Sequence, residues 1–340
     1  MISFNNDYSE GACDEILQAL WEINRIQQVG YGMDEISETA KKTIQEKLQY
    51  ENCDIHFLVG GTQANTTIIA SMLRPYEAVI AVESGHINVH ETGAIEATGH
   101  KVVAMPGKDG KITVEDIRKA VRIHSDEHMV KPAMVYISNA TEIGTIYQKE
   151  ELQEIYEECQ RLGLYLFMDG ARMANALSAK DNTLALEDLC HLCDVFYLGG
   201  TKDGALFGEA VVIVNDALKN NFRYMIKQRG GMLAKGWLLG IQFLTLFQKD
   251  LFLKHGNHAN EMAQKLQKAM EEKGISFFIK TSTNQIFPIL KKEWIAELSK
   301  KYRFQKWEDV DATQTAMRFV CSWATKEEDV IALMEDIKAL

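Results

Sequence analysis

The sequence predicts an α/β fold built on a large, mostly parallel sheet, and three observations carry that expectation. From Ile55 to about Val214, short apolar runs alternate with amphipathic segments, the pattern of strands that cross over through helices. Polar, often glycine-bearing turns follow nearly every run, and in an open α/β sheet ligands gather beyond the carboxyl ends of the strands. The 340 residues, 46% hydrophobic and 25% charged, have the length and composition to bury such a core, which argues against disorder.

Strands are expected at Ile55–Val59, Ala78–Val82, Val102–Met105, Met134–Ser138, Tyr165–Asp169, Val195–Leu198 and Ala210–Val214, seven in one sheet. Between them, Thr113–Arg122 and Lys149–Arg161 have helical periodicity, the second with Gly163 as its stop. Beyond Asn215 the pattern changes to long helices, at Asp216–Arg229, Leu233–Lys254 and Asn257–Lys273. A short α+β tail follows, with strands at Ser276–Lys280, Gln285–Leu290 and Ala316–Ser322 and a last helix from Lys326. The charge-rich stretch Lys291–Lys306 reads as a solvated helix and turn. Four prolines and no low-complexity linker imply firmly packed parts: a large domain over residues 1–240, with an N-terminal arm, and a smaller one over 241–340.

A net charge of −11, with no basic patch, excludes nonspecific affinity for nucleic acid or an anionic membrane. The first residues lack a basic region leading into an apolar core, and no stretch reaches the ~20 apolar residues of a membrane span. A cytoplasmic protein is expected. Six cysteines are scattered rather than arranged as a disulfide framework. Cys190 and Cys193 have zinc-like spacing but no second pair, so they read as the buried side of a helix, and no metal site is expected.

The chemistry gathers at the strand exits. Gly199-Gly200-Thr201-Lys202-Asp203-Gly204 places a lysine in a small-residue turn after a core strand, where desolvation favours the neutral amine and attack on a carbonyl; a turn lysine that points into solvent is the alternative. Gly60-Gly61-Thr62-Gln63-Ala64-Asn65 opens a helix whose amides can hold a phosphate; an ordinary glycine turn with a threonine cap is the alternative. At Ser84-Gly85-His86 an imidazole can stack on an aromatic ligand or exchange protons. His90 and Glu91 read as the solvated face of a helix. Asp169-Gly170-Ala171-Arg172 supplies an anion for a cationic ring nitrogen, and a guanidinium for a carboxylate or for the site's own acids. Its alternative is an Asp–Arg bridge capping a helix. Glu142, in Thr141-Glu142-Ile143-Gly144-Thr145, adds an acid at another exit. A phosphate cradle, a stacking imidazole, a ring-nitrogen anion and a lysine are together the four handles of pyridoxal 5′-phosphate.

The order Tyr31-Gly32-Met33-Asp34, Gly61-Thr62-Gln63-Ala64-Asn65, His86 with Glu91, the Glu142 motif, Asp169-Gly170-Ala171-Arg172, Gly200-Thr201-Lys202-Asp203-Gly204 and Met317-Arg318-Phe319-Val320 resembles the low-specificity threonine aldolases of the β-eliminating lyase group. The resemblance spans essentially the whole chain and implies the aspartate aminotransferase-like fold. It implies Lys202 as the Schiff-base lysine, Asp169 as partner of the pyridine nitrogen, Gly61 and Thr62 as phosphate amides, and His86 stacked on the ring near the substrate hydroxyl. Arg172 and Arg318 would bind the amino-acid carboxylate. Tyr31 would reach a neighbouring subunit's site, which implies a homo-oligomer, a dimer or a tetramer. Relatives commonly carry serine-aspartate near the start, where the serine helps hold the carboxylate; here Asn6-Asp7 stands there, with Asn6 as the substituting donor. Asp203 also replaces an asparagine that often follows the lysine.

The expected reaction is retro-aldol cleavage of L-threonine, L-allo-threonine and related β-hydroxy-α-amino acids to glycine and an aldehyde. His86 is the first choice of base and Glu142 the second. β-Elimination or transamination would use the same lysine and aspartate. A nicotinamide-dependent oxidoreductase fits the sheet but lacks the glycine fingerprint, and a silent scaffold would be expected to have lost Lys202, Asp169 or Arg318.

Overall fold

The computed structural model describes all residues, Met1–Leu340. Its large sheet consists of β1 (Asp54–Leu58), β2 (Glu77–Val82), β3 (Val102–Met105), β4 (Lys131–Ser138), β5 (Tyr165–Asp169), β6 (Val195–Gly199) and β7 (Glu209–Ile213). The order across it is β1-β7-β6-β5-β4-β2-β3, and only β7 runs against its neighbours. All seven expected strands are present, the largest difference being β4, which begins at Lys131 rather than Met134. β2, β6 and β7 are buried at every position because helices cover both faces, so their sequences read as continuous apolar runs.

The covering helices include α1 (Asp14–Ile23), α2 (Glu35–Leu48), α3 (Gly61–Met72), α4 (Val114–Ile123), α5 (Lys149–Leu162) and α6 (Met173–Leu177). Their ends follow local chemistry. Thr113 Oγ1 accepts the Asp116 N–H at 3.2 Å and Asp116 returns the bond to the Thr113 N–H, a capping box that starts α4. Gly163, at φ 68°, stops α5 as expected.

The long helices are divided differently from the expectation. Asp216–Arg229 is broken into a short 3₁₀ turn and α7 (Phe222–Gln228) by Asn221 at φ 60°. The next two expected helices are α8 (Trp237–Gln248) and α9 (Leu251–Glu272), parted at Asp250, φ 55°, rather than near Gly256. Gly256 lies inside α9 because α6 passes there: a Cβ at this position would sit 2.8 Å from the Asn175 nitrogen. Gly240 plays the same part between α8 and α2, where a Cβ would stand 2.8 Å from Ser37 Cα. A boundary at residue 240 therefore falls within a helix packed on α1 and α2. We propose Lys249–Asp250 as the division instead.

The remainder folds as an antiparallel sheet of β8 (Phe277–Ile279), β9 (Gln285–Lys291), β10 (Gln305–Asp309) and β11 (Gln314–Val320), ordered β10-β11-β9-β8, with α10 (Lys292–Leu298) and α11 (Glu327–Ala339). β10 is unanticipated: it is a charged, mostly exposed edge strand and carries no apolar pattern. Of Lys291–Lys306, the first half is the expected helix, and the second pairs Tyr302–Arg303 in parallel with Ile2–Ser3. That pairing, the burial of Phe4 and a 2.9 Å bond from the Val320 N–H to the Phe4 carbonyl hold the N-terminal arm on the small sheet. From there it leads Asn5–Tyr8 toward the large sheet. All six cysteines are buried free thiols, Cys190 and Cys193 within the largest apolar core. No helix is long and apolar enough to cross a membrane.

Candidate active site

The carboxyl ends of the parallel strands open on a cavity of about 300 Å³ lined by Tyr8, Gly60, Gly61, Thr62, His86, Ser138, Glu142, Asp169, Arg172, Tyr197, Lys202 and Glu209. A hollow of similar size adjoins it, shares Tyr8, His86, Glu142, Arg172 and Lys202, and adds Arg318 and Trp307 from the small sheet. Eight of the ten expected site residues thus meet in one place. Asn6 and Tyr31 do not.

Asp169 ends β5 and is buried. Tyr136 Oη donates to its Oδ2 at 2.6 Å, Asn65 Nδ2 at 3.2 Å, and the Ala171 N–H reaches Oδ1 at 3.0 Å. Burial alone pushes this carboxyl up, but the nearby His86 and these hydrogen bonds outweigh it and hold it below its ordinary value. An ionised acid is therefore fixed under the cavity.

His86 begins a short helical turn after β2. Its Nδ1 lies 2.7 Å from Glu91 Oε1, and Asn65 Nδ2 donates to the same oxygen at 2.7 Å. Glu91 is therefore not on a solvated face as expected. Its side chain is fully buried, because Thr92 and Gly93, at φ 53° and 70°, reverse the chain just beyond it. His90 stays exposed. Burial works against charge on His86, yet Glu91 and Asp169 outweigh it and raise its pKa. A neutral His86 donates Nδ1–H to Glu91 and keeps Nε2 as an acceptor.

Lys202 lies in the Gly199–Gly204 turn and is lowered from the ordinary lysine value, first by burial and then by Arg172. The cradle begins at Gly60, where α3 starts with no side-chain cap and its first N–H groups have no acceptor in the helix. Gly61 matters for access, since a Cβ there would meet Tyr197 Oη at 3.1 Å. Glu142 Oε1 accepts from Ser138 Oγ at 2.7 Å and from the His86 N–H at 2.9 Å, while its Oε2 is buried without a partner. Burial raises its pKa.

The two arginines differ. Asp7 takes the Arg172 fork, with Nε–Oδ2 at 2.7 Å and Nη2–Oδ1 at 3.0 Å, and Asn284 donates to Asp7 at 2.9 Å. Burial opposes the Asp7 charge, but Arg172 and Lys202 bring its pKa down to about 2. Of the alternatives open for Arg172, the site's own acid takes it, and that acid is Asp7 rather than Asp169. Arg318 has no carboxylate: its fork meets only Gln285 Oε1 at 3.4 Å and Gln305, and its Nε is buried and unpartnered.

Asn6 Oδ1 is occupied locally, accepting from the Tyr8 N–H at 3.0 Å and Ser9 Oγ at 2.8 Å, and it lines neither hollow. Its neighbours Asn5 and Tyr8 line the hollow that holds Arg318 instead. Tyr31 lies in a separate small pocket with Lys41, His56 and Arg223, half exposed, with Lys227 Nζ 5.0 Å above its ring. Asp203 is buried, and burial pushes its carboxyl well up, so it sits as a neutral acid able to donate and accept like asparagine. Sequence reasoning misses Asp7, Tyr8, Asn65, Tyr136, Tyr197 and Glu209. A signal exists for Glu209, an acid opening a fully apolar strand, and for Asp7 beside Asn6.

Comparison with known proteins agrees with this geometry. Residues 5–293 match the beta-eliminating lyase family. The chain is 32% identical to the low specificity L-threonine aldolase of Pseudomonas aeruginosa, over 98% of this chain and 96% of that protein. It is 48% identical to a threonine aldolase structure from Leishmania major, covering 100% and 99% of the two chains with a TM-score of 0.99. A mutant aspartate aminotransferase from Thermus thermophilus, 13% identical over 100% and 92% of the chains, shares the fold at a TM-score of 0.71. With its strand-end lysine, its buried aspartate and a full-length likeness to threonine aldolases, this chain belongs to the beta-eliminating lyase family.

Proposed function

We propose that this protein is a pyridoxal 5′-phosphate-dependent aldehyde-lyase that cleaves L-threonine, L-allo-threonine and related β-hydroxy-α-amino acids to glycine and an aldehyde. The observation that carries the reading is the meeting, in two adjoining hollows that share Lys202, of a buried lysine of lowered pKa, an ionised aspartate, an uncapped helix start and an unpaired arginine. The residues fit the cofactor: the orphaned Glu142 Oε2, Glu209 Oε2 and Arg318 Nε mark a polar site with unsatisfied groups. Lys202 would hold it covalently, Asp169 would face its ring nitrogen, His86 its ring, and Gly61 and Thr62 its phosphate. When bound, it supplies an electron sink for the bond broken at the substrate α-carbon.

The chain's own groups do the rest. Arg318 binds the substrate carboxylate as a fork, which orients the α-carbon. Neutral His86 takes the β-hydroxyl proton at Nε2, and Glu91 fixes the ring by holding Nδ1. Glu142 is the second candidate base, through its free Oε2. Asp7 keeps Arg172 from competing for the substrate carboxylate. Tyr31, remote from this cavity, serves a second copy's site in this reading, so the working enzyme is a homo-oligomer, dimer or tetramer. Six free thiols support a cytoplasmic location.

The test is an aldehyde-coupled assay of the purified protein with pyridoxal 5′-phosphate and either L-threonine or L-allo-threonine, with glycine quantified in parallel. Equimolar aldehyde and glycine are expected. Ammonia and a keto acid instead would mean elimination, and amino-group transfer to an added keto acid would mean an aminotransferase.

A further inference from the structure

Glu209 is a buried acid that the reaction above does not use. It opens β7, in register with Leu58 of β1 on one side and Gly199 of β6 on the other. It therefore stands between the strand that leads into the Gly60–Thr62 turn and the strand that leads to Lys202. It is 3% exposed and lines the same cavity as both. Its Oε1 lies 2.9 Å from Thr201 Oγ1, which itself accepts the Gly208 N–H at 3.0 Å. The nearer acceptor for the threonine proton is Glu209 Oε1, the Gly208 carbonyl lying farther off at 3.4 Å. Oε2 is buried and has no partner in the chain.

The same cavity is lined by Gly60, Gly61 and Thr62 at the start of α3, where a phosphate would be held. An ionised carboxyl would repel it, whereas a proton on Oε2 makes the residue a donor of the same kind as the helix N–H groups. The groups facing Glu209 are Lys202, Asp169, Asp203 and the Tyr197 hydroxyl, while Gly60–Thr62 bring no side-chain charge. Burial dominates among these influences, with Thr201, Lys202 and the Gly200 backbone N–H opposing it, and raises the Glu209 carboxyl to about 8.

We propose that Glu209 is part of the phosphate site, holding the cofactor phosphate as a neutral acid through a hydrogen bond donated from Oε2. This rests on the pyridoxal phosphate reading above. The sign follows from linkage: phosphate favours the protonated acid, so affinity is full below the free-site pKa and falls as the pH rises through it.

Equilibrium dialysis of the cofactor-free full chain, of Glu209→Gln and of Glu209→Ala tests this, with pyridoxal 5′-phosphate and with pyridoxal as probes, from about pH 6 to about pH 10. Gln keeps a neutral donor and should bind pyridoxal 5′-phosphate near pH 7 within about threefold of the native protein, whereas Ala should bind it about ten- to a hundredfold more weakly. Above pH 8 the native dissociation constant should rise relative to that of the Gln variant, by at most about tenfold per pH unit. Pyridoxal, which lacks the phosphate, should bind all three alike. Equal pyridoxal 5′-phosphate affinities for native and Ala protein at every pH would overturn the inference, as would an equal loss of pyridoxal binding. A native protein that binds neither probe would overturn the cofactor reading itself, and this inference with it.

Discussion

Arg172 and Arg318 line the same hollow, yet one is paired with an acid and the other is not. Arg172 comes from the large sheet and is closed by Asp7, carried in on the N-terminal arm. Arg318 comes from β11 and faces only neutral amides and the Trp307 ring. Asp7 raises the Arg172 pKa against the effect of burial, whereas burial and the neighbouring Arg172 lower that of Arg318. A buried cation already balanced by an acid has no call on a further anion. In the proposed reaction, the one left unbalanced receives the substrate carboxylate. Two arginines equal in sequence reasoning are thus separated by a residue 165 positions away from one of them.

The largest effect should come from breaking the balanced side. Asp7→Ala leaves Arg172 buried without its acid and should cost about 3–5 kcal/mol of stability, measured by denaturant unfolding. Because the Asp7 pKa is lowered from 3.8 to about 2, its contribution is present above the first value and lost as the pH falls to the second. The native protein should lose stability in that acid window and the variant should not. An unchanged unfolding midpoint would place Arg172 among the free cations.

Arg318→Gln sharpens the contrast from the other side. It should raise KM for threonine about ten- to a hundredfold, the worth of a charge-assisted hydrogen bond, while leaving the unfolding midpoint near native. A destabilised protein with unchanged KM would reverse the two roles.

Glu91→Gln asks whether the base depends on its own closed pair. In the proposed reaction His86 acts in its neutral form, so kcat/KM should fall on the acid side as the raised imidazole pKa is crossed. Without the carboxylate, that limb should move to lower pH. A limb that stays in place would favour Glu142 as the base, and Glu142→Gln would then abolish it.

Asp203→Asn should change turnover least, within about twofold, because Asp203 already acts as a neutral group. Its folded pKa lies well above its unfolded one, so taking up a proton on folding costs stability at neutral pH. The variant should be more stable near pH 7, and the gain should vanish below the 3.8 of a free aspartate.

Most of the fold is legible because each strand of the large sheet is an apolar run bounded by polar turns. Lys202, Asp169, His86, Glu142 and the Gly61–Thr62 cradle sit at strand exits, which a parallel sheet brings to one edge, so their grouping follows from topology alone. The misses share a cause. Glu91 looks like a helical surface residue until the backbone reverses at Thr92, and a positive φ at threonine has no sequence mark. Asp7 acts across the fold, and β10 is a charged edge without a pattern. Gly256 reads as a helix end but serves close helix contact, a distinction only the packing of α6 makes. Asn6, placed in the site by resemblance, spends its carbonyl on its own turn.

The central claim is that Lys202 holds pyridoxal 5′-phosphate in this cavity. The most direct measurement is the visible absorption of the native protein and of Lys202→Ala, each mixed with the cofactor, dialysed, and then given L-threonine. The native protein should keep a visible band through dialysis, change it on adding threonine, and release aldehyde. Lys202→Ala should keep no such band and release none. A band retained by the alanine variant, or a native protein that never acquires one, would contradict the account.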